Sequence, residues 1–296
     1  MTRTINPAGL LDRLKHLQRT QYPNVPPNTM LLLYAQQGLL ARLDASPYAG
    51  HFVLKGALSL FARYGDAARP TQDLDLASRG LPNTPQEIQR VLGDLCGVPF
   101  GDGLSFDPTS LRTTPINETL QYPGVTARLT VTLGPSRVNL QLDFSFGNVI
   151  TPAPVQLTFP ALLLDEAVRV AVYPLETVIT EKFAALVEIG EATTRMKDLY
   201  DLQVILNRET FGAALVREAI ERSFTARGTP VDQVPDVLGP GFAASVLLTP
   251  RWTQYLRRNN FTAPDLTEVM ALIRTFYGPL LLGDRTSGHW QDGQWA

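Results

Sequence analysis

Residues 70–77 read Pro70-Thr71-Gln72-Asp73-Leu74-Asp75-Leu76-Ala77. Acidic and aliphatic residues alternate from Asp73 onward. Successive side chains of a strand point to opposite faces, so Leu74 and Leu76 share one face and Thr71, Asp73 and Asp75 the other. One face calls for a core; the other presents two carboxylates side by side. Upstream, His51-Phe52-Val53-Leu54-Lys55-Gly56 is a short apolar run closed by glycine and followed by a helical stretch, Ala57–Gly65. Downstream, Thr84–Leu95 reads as a helix, and from Phe106 to Val149 the pattern changes to strands and turns. Within Val138–Phe144, Leu140, Leu142 and Phe144 lie on one face and Asn139, Gln141 and Asp143 on the other. Asp143 is thus placed to join Asp73 and Asp75 if the two strands are neighbours. The Gly134-Pro135 junction marks a hairpin turn.

Around this centre the chain is punctuated. Leu10–Arg19 and Met30–Leu43 have helical periodicity, the second capped by Asn28 or Thr29. The proline-rich stretch Pro152–Pro160 breaks the pattern, and Val168–Pro174 regains strand character, so the domain edge is placed near Tyr173. Residues 1–173 then form an α/β domain with N-terminal helices, and residues 174–296 a helical C-terminal domain. Its helices are expected at Leu175–Ile189, Arg195–Leu206, Gly212–Phe224, Pro250–Arg258 and Ala263–Phe276.

The 296-residue chain is 44% hydrophobic and 18% charged, with 26 basic against 28 acidic residues. That supplies a sizeable core without a disorder signature, and no bulk positive charge advertises nucleic acid. One cysteine, Cys96, excludes a disulfide framework or a cysteine zinc site, and three scattered histidines argue against an imidazole-held metal. The N-terminus lacks a signal-peptide core, and no run reaches the roughly 18–20 apolar residues of a membrane helix. A cytoplasmic protein with no membrane partner is expected, whose chemistry rests on carboxylates, lysines and arginines. Only four of the 26 basic residues are lysines, Lys15, Lys55, Lys182 and Lys197, which gives each of them weight.

Two carboxylates two residues apart on a strand repel by a few kcal/mol at intermediate dielectric, and a divalent cation relieves that repulsion. Oxygen-only donors favour Mg²⁺ or Mn²⁺ over zinc. A lone D-x-D more often merely faces solvent; Asp143 shifts the balance. Three aspartates on adjacent strands can hold two metals about 3.5–4 Å apart, an arrangement suited to in-line displacement at phosphorus. Gly56-Ala57 before a helix adds backbone N–H donors for a phosphate.

Along Leu175–Ile189 the stripe Leu175, Ile179, Lys182, Leu186, Ile189 has helical spacing, so Lys182 lies within an apolar face. Either its ammonium snorkels to water, or the charge is directed into a cleft between the halves for a triphosphate. In Arg195-Met196-Lys197-Asp198-Leu199-Tyr200-Asp201, Asp198 and Asp201 share a helical face and Lys197 can pair with Asp201. Arg251–Arg258 holds three arginines, Trp252, Tyr255 and no acid. It reads either as a surface tracking a phosphate backbone or as a satellite core with an arginine rim.

Together, Lys55-Gly56-Ala57-x-x-Leu60, Thr71-x-Asp73-Leu74-Asp75, Asp143, Glu181-Lys182 and Arg195-x-Lys197-Asp198-Leu199-Tyr200-Asp201-Leu202 resemble the AbiEii/MenT family of nucleotidyltransferase-like toxins. The co-occurrence of D-x-D with R-x-K-D-x-x-D-L is more specific than either element alone. The resemblance implies an α/β (α+β) fold, with a DNA polymerase β-like nucleotidyltransferase core and a helical C-terminal domain. It also implies a toxin with a cognate antitoxin, transferring a nucleotide from an NTP to RNA. In characterised members the acceptor is the 3′ end of tRNA, which blocks aminoacylation and translation. By position Asp73 and Asp75 match the metal-binding pair, Asp143 the third carboxylate by strand context, Lys182 the active-site lysine, and Asp198 or Asp201 the late aspartate. Nucleotide contacts are implied for Gly56, Ala57, Ser59, Lys182, Arg195 and Lys197. The family's usual Gly-Gly or Gly-Ser is Gly56-Ala57 here, which removes one hydroxyl; Ser59, one turn on, is the nearest substitute. Family members are silenced by phosphorylation of a hydroxyl near the D-x-D, which makes Thr71 the regulatory candidate.

The reaction so implied has Mg²⁺ or Mn²⁺ on Asp73 and Asp75 holding the triphosphate, while Lys182 neutralises its charge. Asp143, through a second metal, lowers the pKa of an RNA 3′-hydroxyl for attack on the α-phosphorus, and pyrophosphate leaves. Substituting Asp73 or Lys182 by alanine is expected to abolish transfer and spare the fold. Two rivals remain: a small-molecule nucleotidyltransferase of the antibiotic-modifying type, and a non-catalytic nucleotide-binding protein.

Overall fold

The computed structural model describes residues 7–116, 124–164 and 166–296. The chain divides into two compact units, Met1–Asn148 with Pro154–Tyr173, and Val149–Ala153 with Pro174–Ala296. Val149–Ala153 leaves the first half of the chain because Thr177 grips it: the Thr177 hydroxyl accepts from Thr151 N at 2.9 Å and donates to Thr151 O at 2.8 Å.

In the first unit α1 (Pro7–Gln21) and α2 (Pro27–Asp44) precede β1 (Phe52–Lys55), α3 (Gly56–Tyr64), β2 (Asp73–Ser78) and α4 (Pro85–Cys96). Then come β3 (Leu104–Ile116), β4 (Gly124–Leu133), β5 (Ser136–Phe146), β6 (Val155–Phe159) and β7 (Val168–Val172). All seven strands form one mixed sheet in the order β3-β4-β5-β2-β1-β7-β6. β2 lies at its middle, parallel to β5 and antiparallel to β1.

Alternation sets the layers. Leu54, Leu74, Leu76, Leu142 and Phe144 are buried on one face, where Leu39, Leu40 and Leu43 of α2 and Val91, Leu92 and Leu95 of α4 meet this layer. Burying each such side chain contributes about 1.5–3 kcal/mol, so the aliphatic half of the D-x-D strand anchors it. α2 starts at Pro27, where the missing proline N–H is harmless, rather than at a cap from Asn28 or Thr29. Gly134, at φ 55°, supplies the left-handed residue of the β4–β5 hairpin, with Leu133 facing Ser136. The proline-rich stretch holds an unexpected edge strand: β6 pairs with β7, with Pro154 and Pro160 just outside the ladder.

The second unit carries α5 (Leu175–Ile189), α6 (Met196–Arg208), β8 (Phe211–Gly212), α7 (Ala213–Arg227), α8 (Val234–Leu238) and α9 (Pro240–Ala243). α10 (Leu248–Asn259), α11 (Leu266–Leu281), β9 (His289–Gln291) and β10 (Gln294–Trp295) complete it. The helical expectation lacked the small sheet β10-β9-β8. Trp290 accounts for it: its side chain is wholly buried and its indole N–H donates to Leu206 O at 2.7 Å. Phe183 stacks on Tyr277 with ring centroids 3.9 Å apart, and the Tyr277 hydroxyl donates to Ile179 O, tying α5 to α11. Among the described residues no helix is long and apolar enough to cross a membrane.

Candidate active site

Across the parallel β2–β5 pair, Asp75 faces Asp143 and Asp73 faces Gln141. Lys55 faces Asp75 across β1–β2, and Thr126 faces Asp143 across β4–β5. Residues opposite one another in register share a sheet face. Lys55, Asp75, Asp143 and Thr126 therefore form one row across four strands, with Asp73 in the adjacent row of the same face. All three aspartates are half-buried. They stand on the face opposite the Leu74–Leu142 layer.

Each acid is held differently. Thr126 Oγ1 donates to one oxygen of Asp143 at 2.6 Å, and Gln141 Nε2 to the other at 3.4 Å. Asp75 lies over the start of α3, where a Cβ on Gly56 would come within 2.1 Å of its Oδ2. Gly56 also has φ +64°, so both space and backbone demand glycine. Gly56→Ala is expected to push Asp75 off the row and to cut nucleotidyl transfer by about 10²-fold or more, measured as initial rate on the folded variant. Ala57 is buried and offers the site only its backbone.

Two expectations need correction. Ser59 is wholly buried and its hydroxyl donates to Gly56 O at 2.8 Å. The helix itself consumes this hydroxyl, so it does not replace the missing phosphate contact. Thr71 is not on the strand face, because β2 begins only at Asp73. Its hydroxyl instead donates to Asp73 O at 3.3 Å, closing the turn into the strand.

A divalent cation suits these donors: carboxylate oxygens, half-buried, in two adjacent rows. Asp73 has no side-chain partner among the described residues, which leaves both its oxygens to a ligand. No finished metal-holding cluster of three acidic, imidazole or thiol groups stands among the described residues; two oxygens of the row, those of Asp143, are engaged by Thr126 and Gln141.

In the second unit Lys182 of α5 meets α6. Its Nζ lies 2.8 Å from Asp198 Oδ1 and 2.6 Å from Asp201 Oδ2, and the three side chains are 10%, 6% and 2% exposed. Arg195 Nε adds a bond to Asp198. Lys182 therefore does not snorkel to water, and it takes the place foreseen for Lys197 as partner of Asp201; Lys197 is exposed. Burial alone would raise the Asp198 carboxyl, but the charges of Lys182 and Arg195, with their hydrogen bonds, outweigh it and hold its pKa at about 2. A lowered folded-state pKa gives stability that is complete above the ordinary carboxylate value of 3.8 and lost as pH falls toward 2. The free energy of unfolding should decline across that window, and Asp198→Asn should flatten the decline in urea titrations repeated at each pH.

A family profile described as "Nucleotidyl transferase AbiEii toxin, Type IV TA system" matches residues 38–276, which include the acid row and the Lys182 cluster. The chain belongs to the AbiEii family. It is thus a nucleotidyltransferase toxin of a type IV toxin–antitoxin system, a class that uses an NTP and has an antitoxin counterpart. Among solved structures it is similar to JHP933 from Helicobacter pylori, at 16% identity over 83% of this chain and 89% of that one, with a TM-score of 0.47. A candidate nucleotidyltransferase from the same bacterium is 17% identical over 82% of this chain and 89% of that one, with a TM-score of 0.44. Among curated proteins no sequence matches.

In this AbiEii chain the Arg251–Arg258 segment is a satellite core. Trp252 is buried, its indole N–H donates to Pro264 O at 3.0 Å, and Tyr255 stacks on it. Arg251 donates to the carbonyls of Glu191 and Thr193. No base can stack on Trp252. Two partners of Asp143 were not assigned from the sequence. Gln141 carried a signal, lying two residues before Asp143 on the same strand face. Thr126 carried none, because only the hairpin register brings it to Asp143.

Proposed function

We propose that this AbiEii toxin transfers a nucleotide from an NTP to an RNA 3′-hydroxyl, at the acceptor end of tRNA, in a Mg²⁺- or Mn²⁺-dependent reaction that blocks translation in the cytoplasm. The observation carrying the proposal is the placement of Asp73, Asp75 and Asp143 on one face of two adjacent parallel strands. A divalent cation on these carboxylates would supply charge neutralisation at the triphosphate.

The chain's own groups position the reactants. Unpaired N–H groups at the start of α3, including that of Ala57, bind phosphate oxygen. Asp143, steered by Thr126 and Gln141, faces the RNA 3′-hydroxyl and favours loss of its proton to solvent water. The hydroxyl oxygen then bonds to the α-phosphorus, the bond from that phosphorus to the α–β bridging oxygen breaks, and pyrophosphate leaves. Within the second unit Lys182 is held between Asp198 and Asp201, and the exposed Arg195 and Lys197 offer cations to phosphate oxygens. Phosphorylation of Thr71 would break its bond to Asp73 O and set roughly −1.5 to −2 charge beside the acid row, which silences the enzyme.

The test is incubation of the protein with total RNA and each radiolabelled NTP in Mg²⁺ or Mn²⁺. Label is expected in the tRNA band and at its 3′ end. Label on an aminoglycoside but on no RNA would favour the antibiotic-modifying alternative; NTP binding without any transfer would favour a non-catalytic role.

A further inference from the structure

We propose that Lys55 binds the terminal phosphates of the NTP and steadies the departing pyrophosphate, an assignment that rests on the nucleotidyl-transfer reaction above. Lys55 lies in the same row as the acids, opposite Asp75 on β1. It is half-buried, yet has no hydrogen-bonding or ionic partner among the described residues. Cross-strand neighbours sit with Cβ atoms about 4.5–5.5 Å apart, so a purely structural lysine here would pair with Asp75. Asp75 instead lies against Gly56.

The backbone makes the position more unusual. Lys55 is the N-cap residue of α3, the helix end that carries partial positive charge and repels cations. A lysine at that end, unpaired and in a chain that uses arginine for most of its positive charge, breaks a local rule without a structural gain. An anion resolves the conflict. Polyphosphate at this point meets the ammonium and the α3 N–H groups together.

The order of the row selects which phosphates. Asp143 faces the attacking hydroxyl and therefore the α-phosphorus. Asp75 stands between Asp143 and Lys55, so the Lys55 and Asp143 backbones are two strand spacings apart, about 10 Å. That puts the lysine on the leaving-group side. When the α-phosphorus to bridging-oxygen bond breaks, the electron pair goes to pyrophosphate, and the ammonium faces the charge that develops there.

The test measures binding of inorganic tripolyphosphate and of an NMP to the full chain by competition with a fluorescent NTP, beside melting curves and transfer to RNA. Lys55→Ala is expected to weaken tripolyphosphate binding about 10–100-fold, the worth of a charged hydrogen bond, and to leave NMP binding within about twofold. Lys55→Arg should recover most of the loss. The melting temperature of Lys55→Ala without ligand should hold or rise, because a cation leaves a helix N-terminus. Unchanged tripolyphosphate affinity, equal loss of NMP binding, or a wild-type chain that binds no polyphosphate overturns the assignment. Lys55-dependent polyphosphate binding without transfer to RNA sustains it and removes only the RNA reaction.

Discussion

A Lys182→Ala chain is expected to lose about 3–5 kcal/mol of stability, enough to unfold much of the second unit at growth temperature. Lys182 is the buried counter-charge of two aspartates at once. Removing it takes from Asp201 its lysine and leaves Asp198 with Arg195 in place of two cations, and breaking a buried ion pair from one side costs more than the intact pair contributes. The expectation that alanine here spares the fold is therefore replaced, and loss of activity in Lys182→Ala does not by itself mark a catalytic group. Urea denaturation of two chains separates the effects. Lys182→Met combined with Asp198→Asn and Asp201→Asn removes all three charges and should stay markedly more stable than Lys182→Ala. Equal stability of Lys182→Ala and wild type would falsify the buried-network account.

The second large effect runs the other way. Asp73→Asn should lower nucleotidyl transfer by about 10²–10³-fold or more and leave the melting temperature unchanged or slightly raised. Asp73 is half-buried and its side chain has no partner among the described residues, next to the row that holds Asp75 and Asp143. Its carboxylate makes no side-chain bond to these residues in the folded chain, so neutralising it removes no stabilising contact. A marked drop in melting temperature, or activity near that of wild type, would contradict this. The contrast with Lys182 is the useful part: one charged residue makes no side-chain bond among the described residues, the other holds two buried aspartates.

The sequence carried the acid face because alternation is local. Leu74 and Leu76 had to be buried, so Asp73 and Asp75 had to face the other way, and the same logic fixed Asp143. Periodicity likewise placed the helix at Leu175–Ile189 and put Lys182 on its apolar side. It could not reveal what lies opposite. Asp75 is a neighbour of Asp143 only because β2 inserts between β1 and β5, and strand order is set by packing between segments dozens of residues apart. The hydroxyls of Ser59 and Thr71 were misjudged for a related reason: a residue type shows that a donor exists, not whether a nearby backbone carbonyl already takes it.

What the amino-acid order determined by itself is the set of faces: which side chains point to a core, which point away, and which few chemistry-bearing types stand among the latter. The tertiary structure alone decided the partners. It gave Lys182 to Asp198 and Asp201, turned Asp143 to Thr126, and left Lys55 and Asp73 without side-chain partners among the described residues. The division has a physical origin, since side-chain direction follows from each residue's own backbone angles, whereas a hydrogen bond or ion pair needs two groups that only long-range packing brings within about 3 Å of each other.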